Sequence, residues 1–170
     1  MTRSSALPLA ALLLALTATA CDDDSPAAPR PEQFAATLSG ANEVPPVTTT
    51  ATGSASFTAV GDTAISYTIT VNGLTGITMG HIHAGAAGVN GGVVVWLLPP
   101  NGTAPQTPSG TINGALVSGR ITAASIRGLS GAPPISLDSL KRLMRGGNAY
   151  VNLHTSRFGG GELRGQITTN

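Results

Sequence analysis

The chain has 170 residues, enough for one domain with tails, and only 10% of them are charged. Hydrophobic residues make up 41% of the sequence, which excludes a disordered chain, and the many glycines and prolines favour short strands joined by turns. The formal net charge of +1 is too small for the clustered basic surface that nucleic-acid binding requires, so we expect no nucleic-acid partner.

Residues 1–20 have the pattern of an export signal. Arg3 supplies a positive charge, and the apolar stretch over residues 6–20 is shorter than the roughly 20 residues that a transmembrane helix needs. Small residues lead directly into Cys21, the only cysteine of the chain. This segment resembles the lipobox of bacterial lipoproteins, although Ala18 stands where that pattern usually has leucine. We expect Cys21 to be lipidated and to anchor the chain to the cell membrane, facing the periplasm or the exterior.

An acidic, proline-rich linker over residues 21–33 comes after the signal. Three aspartates and three prolines make it polar and semi-extended. Because Cys21 is the only cysteine and is assigned to lipidation, we expect neither an intrachain disulfide nor a thiolate ligand in the rest of the chain. We expect a single domain over residues 34–170.

From residue 34 onward, apolar and polar residues alternate with a period of two. Ile65, Tyr67 and Ile69, for example, are separated by serine and threonine, as in a strand with one buried face. Turn pairs such as Asn72-Gly73 and Asn113-Gly114 separate these runs about every ten residues. The pattern predicts an all-β fold, a Greek-key-like antiparallel β-sandwich of about eight strands.

One segment has a helical period instead. Leu137, Leu140 and either Leu143 or Met144 share a face at helical spacing, Ser136 is placed to cap the start, and the glycines at 146–147 can end it. We predict one short helix near residues 137–145. The basic residues within it suit the solvated face and the C-terminal turn of that helix.

All three histidines of the chain lie in two strand-like segments. Alternation puts His81 and His83 on one face of the first segment. The same rule puts Tyr150, Asn152 and His154 on one face of the second. A sandwich with these two strands side by side would gather the three imidazoles on one surface.

Three convergent imidazoles with an open position suit Zn²⁺ or Cu²⁺. Glu43, Glu162 and Asn152 are the candidates for a fourth ligand or for a hydrogen bond that orients an imidazole. The alternative is a hydrogen-bonded histidine network that fixes loops, with Asn152 and Thr155 as partners. The sequence alone slightly favours this alternative, because nothing in it shows that the two segments meet.

Catalytic motifs are missing from the sequence. It has no nucleophile elbow and no phosphate-binding glycine loop before a helix. The predicted domain holds only four acidic residues from residue 34 onward, which argues against a hydrolase with paired carboxylates. We therefore assign no catalytic residue and favour a non-enzymatic role.

Four segments, taken together and in this order, resemble the CHRD domain, which is named for its occurrence in chordin and is also found in bacterial exported proteins. They are Leu38–Pro46, His81–Gly85, Gly147–Thr155 and Gly160–Gln166. The resemblance spans about residues 34–168 and implies an extracellular β domain, but it implies little about activity. The growth-factor binding associated with chordin is not carried over to a single-copy lipoprotein.

The His-x-His strand in a β-sandwich also looks faintly like copper/zinc superoxide dismutase. That family uses more histidine ligands and a disulfide, and this chain has three histidines and one cysteine. The sequence therefore favours a membrane-anchored, non-catalytic binding module whose partner is an unknown envelope protein or ligand. A copper- or zinc-binding protein is the alternative, and a dismutase-like redox enzyme is a remote third.

Overall fold

The structure is a computed structural model that describes residues 30–99, 109–128 and 133–170. The predicted export signal and Cys21 lie outside the described residues. Within them, strands dominate and the all-β class is confirmed. The strands are β1 (Gln33–Ser39), β2 (Thr52–Val60), β3 (Ala64–Thr75), β4 (Ile77–Ala84), β5 (Gly92–Leu98), β6 (Thr111–Thr122), β7 (Ala149–Thr155), β8 (Leu163–Gln166) and β9 (Thr168–Thr169), with one α-helix, α1 (Leu137–Arg145).

The strands form one continuous antiparallel sheet in the order β5–β4–β7–β8–β1–β2–β3–β6, and β9 pairs with β1. Its two edges approach each other. Val95 of β5 forms an antiparallel bridge with Ile126, just beyond β6, and the Arg127 N–H donates to the Val94 carbonyl over 2.7 Å. The sheet is thus nearly closed and barrel-like, and the two layers expected of a sandwich are opposite walls of one curled sheet.

The wall formed by β2, β3 and β6 shows the predicted alternation. Phe57 pairs with Tyr67, and both side chains are buried in the interior, whereas the neighbouring pair Ser56 and Thr68 faces outward. The Tyr67 hydroxyl crosses the interior and donates to the Leu97 carbonyl of β5 over 2.9 Å. Each large apolar side chain buried in this way stabilises the fold by about 1.5–3 kcal/mol.

Helix α1 has the predicted bounds and caps. The Ser139 N–H donates to the Ser136 hydroxyl over 3.0 Å, and the chain leaves the helix through the glycines at 146–147. Leu140 and Met144 are fully buried, so the apolar face belongs to the core. The basic residues of this segment pair with Asp62, Asp138 and Glu32. The predicted solvated face is confirmed for Arg142 and Arg145 but is wrong for Lys141, which is buried and reaches out to Asp62. No helix among the described residues is long and apolar enough to span a membrane.

The opposite wall, formed by β4, β7 and β8, is buried or half-buried on both faces. All seven residues of β7 are buried, although the strand alternates polar and apolar side chains. Val151 and Leu153 belong to the hydrophobic core. The other face carries Tyr150, Asn152 and His154, and loops cover it. Polar side chains that are buried in this way need partners within the protein, and their partners define the candidate site.

Candidate functional site

Strands β4 and β7 are direct neighbours in the sheet, which brings the two histidine segments together. Met79 pairs with His154 and His81 pairs with Asn152. Because side chains two positions apart share a face, His81, His83 and His154 lie on the same side of the sheet. Their ring centroids are 5.0 Å apart for His81 and His154, 5.6 Å for His81 and His83, and 6.4 Å for His83 and His154. We call these three residues the histidine cluster.

The ring nitrogens of the histidine cluster converge. One nitrogen from each ring lies within 4.8 Å of one nitrogen from both others, and His81 Nδ1 lies 3.2 Å from His154 Nε2. A metal ion with bonds of about 2.0–2.1 Å holds its nitrogen ligands roughly 3–4 Å apart. The three imidazoles therefore need to close by only about an ångström to surround one ion.

Two backbone carbonyls orient the rings. His83 Nδ1 lies 2.9 Å from the Gly91 carbonyl, and His154 Nδ1 lies 3.0 Å from the Gly159 carbonyl. A carbonyl oxygen can only accept, so each Nδ1 carries the proton and each Nε2 keeps its lone pair. The His83 Nε2 atom is buried and has no hydrogen-bond partner among the described residues. This is the tautomer and the outer support that histidine ligands of metals have.

Burial keeps the histidine cluster uncharged. It lowers the pKa of all three imidazoles, and the pKa of His81 falls to about 3, with the neighbouring His154 and His83 lowering it further. At neutral pH the three rings are therefore neutral, which is the form that binds metals. No proton has to be removed from an imidazolium before a metal can bind.

The two carbonyl partners are contributions that sequence reasoning missed. Gly91 reaches His83 only because it has no side chain, since a Cβ there would lie 1.7 Å from the Ala84 carbonyl oxygen. Gly159 has open space around it and holds its place through the turn after β7. At Gly91 and Gly159 the sequence indicated only turns. It could not show which carbonyl accepts from a histidine, because every residue has a main-chain carbonyl.

Aromatic rings enclose the histidine cluster. Trp96 of β5 meets the His81 ring edge-on at 4.2 Å between centroids. Tyr150 stacks on His83 with centroids 4.9 Å apart, and its hydroxyl oxygen accepts a hydrogen bond from the Gly91 N–H over 3.1 Å. The Arg164 guanidinium lies 3.5 Å from the Tyr150 ring centroid. Two groups stacked on one ring occupy opposite faces, so Tyr150 separates His83 from Arg164.

The predicted fourth ligands have other partners. Glu43 accepts a hydrogen bond from the Asn152 side-chain amide, and Glu162 accepts hydrogen bonds from Thr49 and Thr155, both over 2.7 Å. In the part of the chain that the structure describes, the group of converging ligand atoms consists of the three histidines. Asn152 and Thr155, which the alternative network would have paired with histidines, bind these carboxylates instead. A metal-ligating or orienting role for Glu43, Asn152 and Glu162 stays a prediction.

The fold and the site define a class: a mostly antiparallel, nearly closed β domain with polar residues buried beneath loops. The family model of the CHRD domain matches residues 34–167, and the chain belongs to this family. The match covers the histidine cluster as well as Glu43 and Arg164. Membership supports, at a coarse level, a non-catalytic binding module. No curated protein and no solved structure matches this chain.

Proposed function

We propose that this protein is an exported, lipid-anchored binding module of the cell envelope that holds a copper or zinc ion in its histidine cluster. The observation that carries the metal proposal is the convergence of three neutral imidazoles within 4.8 Å, with two of them oriented by carbonyls. Such an arrangement leaves the fourth position of a tetrahedral ion open for water or an outside ligand.

Copper is the metal that this donor set favours. Three imidazoles without a thiolate suit both Cu²⁺ and Zn²⁺, and the general order of affinities for divalent ions places copper above zinc. The domain would hold the ion beneath the Trp96 and Tyr150 rings, which shield His81 and His83. We expect copper to displace zinc when both ions are offered at equal concentration.

Metal binding through His81 Nδ1 requires one internal proton shift. His154 Nε2 keeps its lone pair, so the 3.2 Å contact with His81 is a hydrogen bond in which His81 Nδ1 donates. To offer Nδ1 as a ligand, His81 must carry its proton on Nε2 instead. The other two imidazoles are already in the required tautomer, which limits the rearrangement to a single ring.

Metal titration tests this proposal. The purified protein is titrated with Cu²⁺ and Zn²⁺ and compared with His83→Ala and with Thr68→Ala, an exposed position on the opposite wall. We expect one ion per chain for the wild type and for Thr68→Ala, and an affinity for His83→Ala that is at least 100-fold weaker. Equal binding by all three proteins would overturn the assignment. Circular dichroism of each variant separates a lost ligand from a lost fold.

The membrane anchor is a second part of the proposal, and it rests on residues 1–21 alone. Three aspartates and three prolines between Cys21 and β1 would hold the domain away from the bilayer. Lipid chains anchor a protein by burying CH₂ groups, each of which contributes about 0.8 kcal/mol. We expect wild-type protein to incorporate a labelled fatty acid and to sediment with membranes. Cys21→Ser should do neither, and membrane sedimentation of that variant would contradict lipid anchoring.

A further inference from the structure

A cavity of about 430 Å³ opens on the far side of Tyr150 from the histidine cluster. Its walls include Ala41, Val44, Pro46 and Ala87, and its polar residues include Glu43 and Arg164. The volume is within the range of small-molecule sites, which are mostly apolar with a few polar groups that fix the ligand. Glu43 and Arg164 come from the first and last of the four family segments, and the metal proposal uses neither.

Arg164 lines this cavity and carries a buried positive charge. The residue is only 2% exposed, and its guanidinium donates to Asn90 Oδ1 over 3.0 Å and to the carbonyls of Ala86 and Val89 over 3.2 and 2.7 Å. All three acceptors are neutral, and no described carboxylate lies within 4.0 Å of it. Glu43 is near enough for the Arg164 charge to lower its pKa, but the two side chains form no ion pair. A buried charge without an ion pair is costly, so an anion in the cavity would supply the close counter-ion that Arg164 lacks.

The same hydrogen bonds fix the direction of the guanidinium. They use Nη1 and Nη2, and Nε donates to no described residue. The Tyr150 ring supports one face of the guanidinium plane at 3.5 Å. Arg164 is therefore held in one orientation before any ligand arrives, which lowers the entropy that binding costs.

Glu43 restricts which anion the cavity accepts. Glu43 lines the cavity and is 6% exposed, and its carboxyl accepts a hydrogen bond from Asn152, so it stays in place beside the ligand. One acidic neighbour disfavours a doubly charged phosphate more than a singly charged carboxylate. The apolar walls also favour a ligand that has an apolar body rather than an ion that is polar on every side.

We propose that this cavity binds a small organic monocarboxylate, with its carboxylate at Arg164 and its apolar body against Val44, Pro46 and Ala87. Guanidinium and carboxylate match in shape as well as in charge. The proposal does not depend on the metal, because no residue of the histidine cluster lines the cavity. Its failure would leave the metal proposal standing, and the reverse also holds.

Nuclear magnetic resonance titration of the ¹⁵N-labelled protein tests this proposal, with butyrate as the probe and butanol and inorganic phosphate as controls. We expect butyrate to give saturable shifts at the Gly88 amide and the Arg164 Nε–H, and the two controls to give none. Absence of saturable shifts with butyrate would overturn the proposal. Equal saturation by phosphate would overturn the assignment to monocarboxylates, and equal saturation by butanol would overturn the role of Arg164.

Two substitutions of alanine by leucine test where butyrate binds. Ala87→Leu fills the cavity from its exposed rim, and Ala115→Leu adds the same volume at an exposed position on β6. We expect Ala87→Leu to weaken butyrate binding at least tenfold and Ala115→Leu to leave it unchanged. At pH 8, above the pKa of Glu43, Glu43→Gln removes the negative neighbour and should tighten butyrate binding several-fold. Unchanged affinity in Ala87→Leu would place butyrate elsewhere and overturn the proposal.

Discussion

The two walls of the sheet differ in whether their polar side chains are exposed to solvent or buried. On the β2–β3–β6 wall, apolar residues face the core and hydroxyl residues such as Ser56 and Thr68 face solvent. On the β4–β7–β8 wall, Asn152, His154 and Arg164 are 4%, 8% and 2% exposed. Burying such groups is unfavourable unless each finds a partner, so the stability of the second wall depends on specific hydrogen bonds. The candidate sites lie where the fold departs from the simple pattern of apolar inside and polar outside.

Lowering the pH should change the free energy of unfolding more than any single substitution, because the histidines of the buried wall are kept neutral. Their pKa values are lowered in the folded state, that of His81 to about 3, so below pH 6.5 the unfolded chain binds more protons. Stability is present above pH 6.5 and falls as pH is lowered toward 3. Each histidine affected contributes about 1.4 kcal/mol per pH unit to the slope. Urea unfolding of Glu43→Gln at pH 7, 5 and 4 measures it, because this variant lacks the opposing titration of Glu43. A flat profile would contradict buried neutral imidazoles.

Replacing one arginine on each wall by alanine tests the difference between the walls directly. Arg164→Ala removes three hydrogen bonds from a charged, buried group and leaves a void, so we expect it to lower the free energy of unfolding by about 3–5 kcal/mol. Arg120→Ala, at an exposed position of β6, should change it by less than about 0.5 kcal/mol. Chemical denaturation of both variants measures the difference. Similar losses would show that the two walls do not differ in the way proposed.

Substitutions at Gly91 and Gly159 distinguish the two carbonyl partners of the histidine cluster, because only Gly91 packs closely against another residue. Gly91→Ala puts a Cβ 1.7 Å from the Ala84 carbonyl oxygen and displaces the acceptor of His83. We expect a loss of about 2 kcal/mol or more in stability and a roughly 10–100-fold weaker metal affinity. Gly159→Ala has no neighbour within 4 Å and should bind metal normally. Denaturation and Cu²⁺ titration of both variants test this, and equal behaviour would count against an orienting role for Gly91.

Glu43 should give an effect of the opposite sign to that of the histidines. Burial raises its pKa to about 7, against the lowering effects of Asn152 and Arg164. A raised carboxyl pKa contributes stability that is present below the unfolded value of 4.5 and is lost as pH rises through about 7. The wild type should therefore lose stability between pH 4.5 and 7 relative to Glu43→Gln. Parallel profiles for the two proteins would contradict the raised pKa.

Local sequence patterns were sufficient to predict the strands and the helix. The alternation at Ile65, Tyr67 and Ile69 predicted a strand because side chains of any strand alternate between its two faces. Helix α1 was predictable for the same kind of reason, since Ser136 and the glycines at 146–147 act on the backbone next to them. The pairing of β4 with β7 was not predictable in this way, because it joins segments about 70 residues apart and depends on the order of strands in the sheet.

By itself, the sequence determined the all-β class, the single helix and the placement of His81 and His83 on one face. These properties depend on each residue and its near neighbours. Only the tertiary structure decided that His154 joins them, that the carbonyls of Gly91 and Gly159 orient the rings, and that loops bury the polar face. The cavity at Glu43 and Arg164 likewise exists only where separate loops and strands meet. Convergence of this kind is a property of the closed sheet, and no short stretch of sequence contains it.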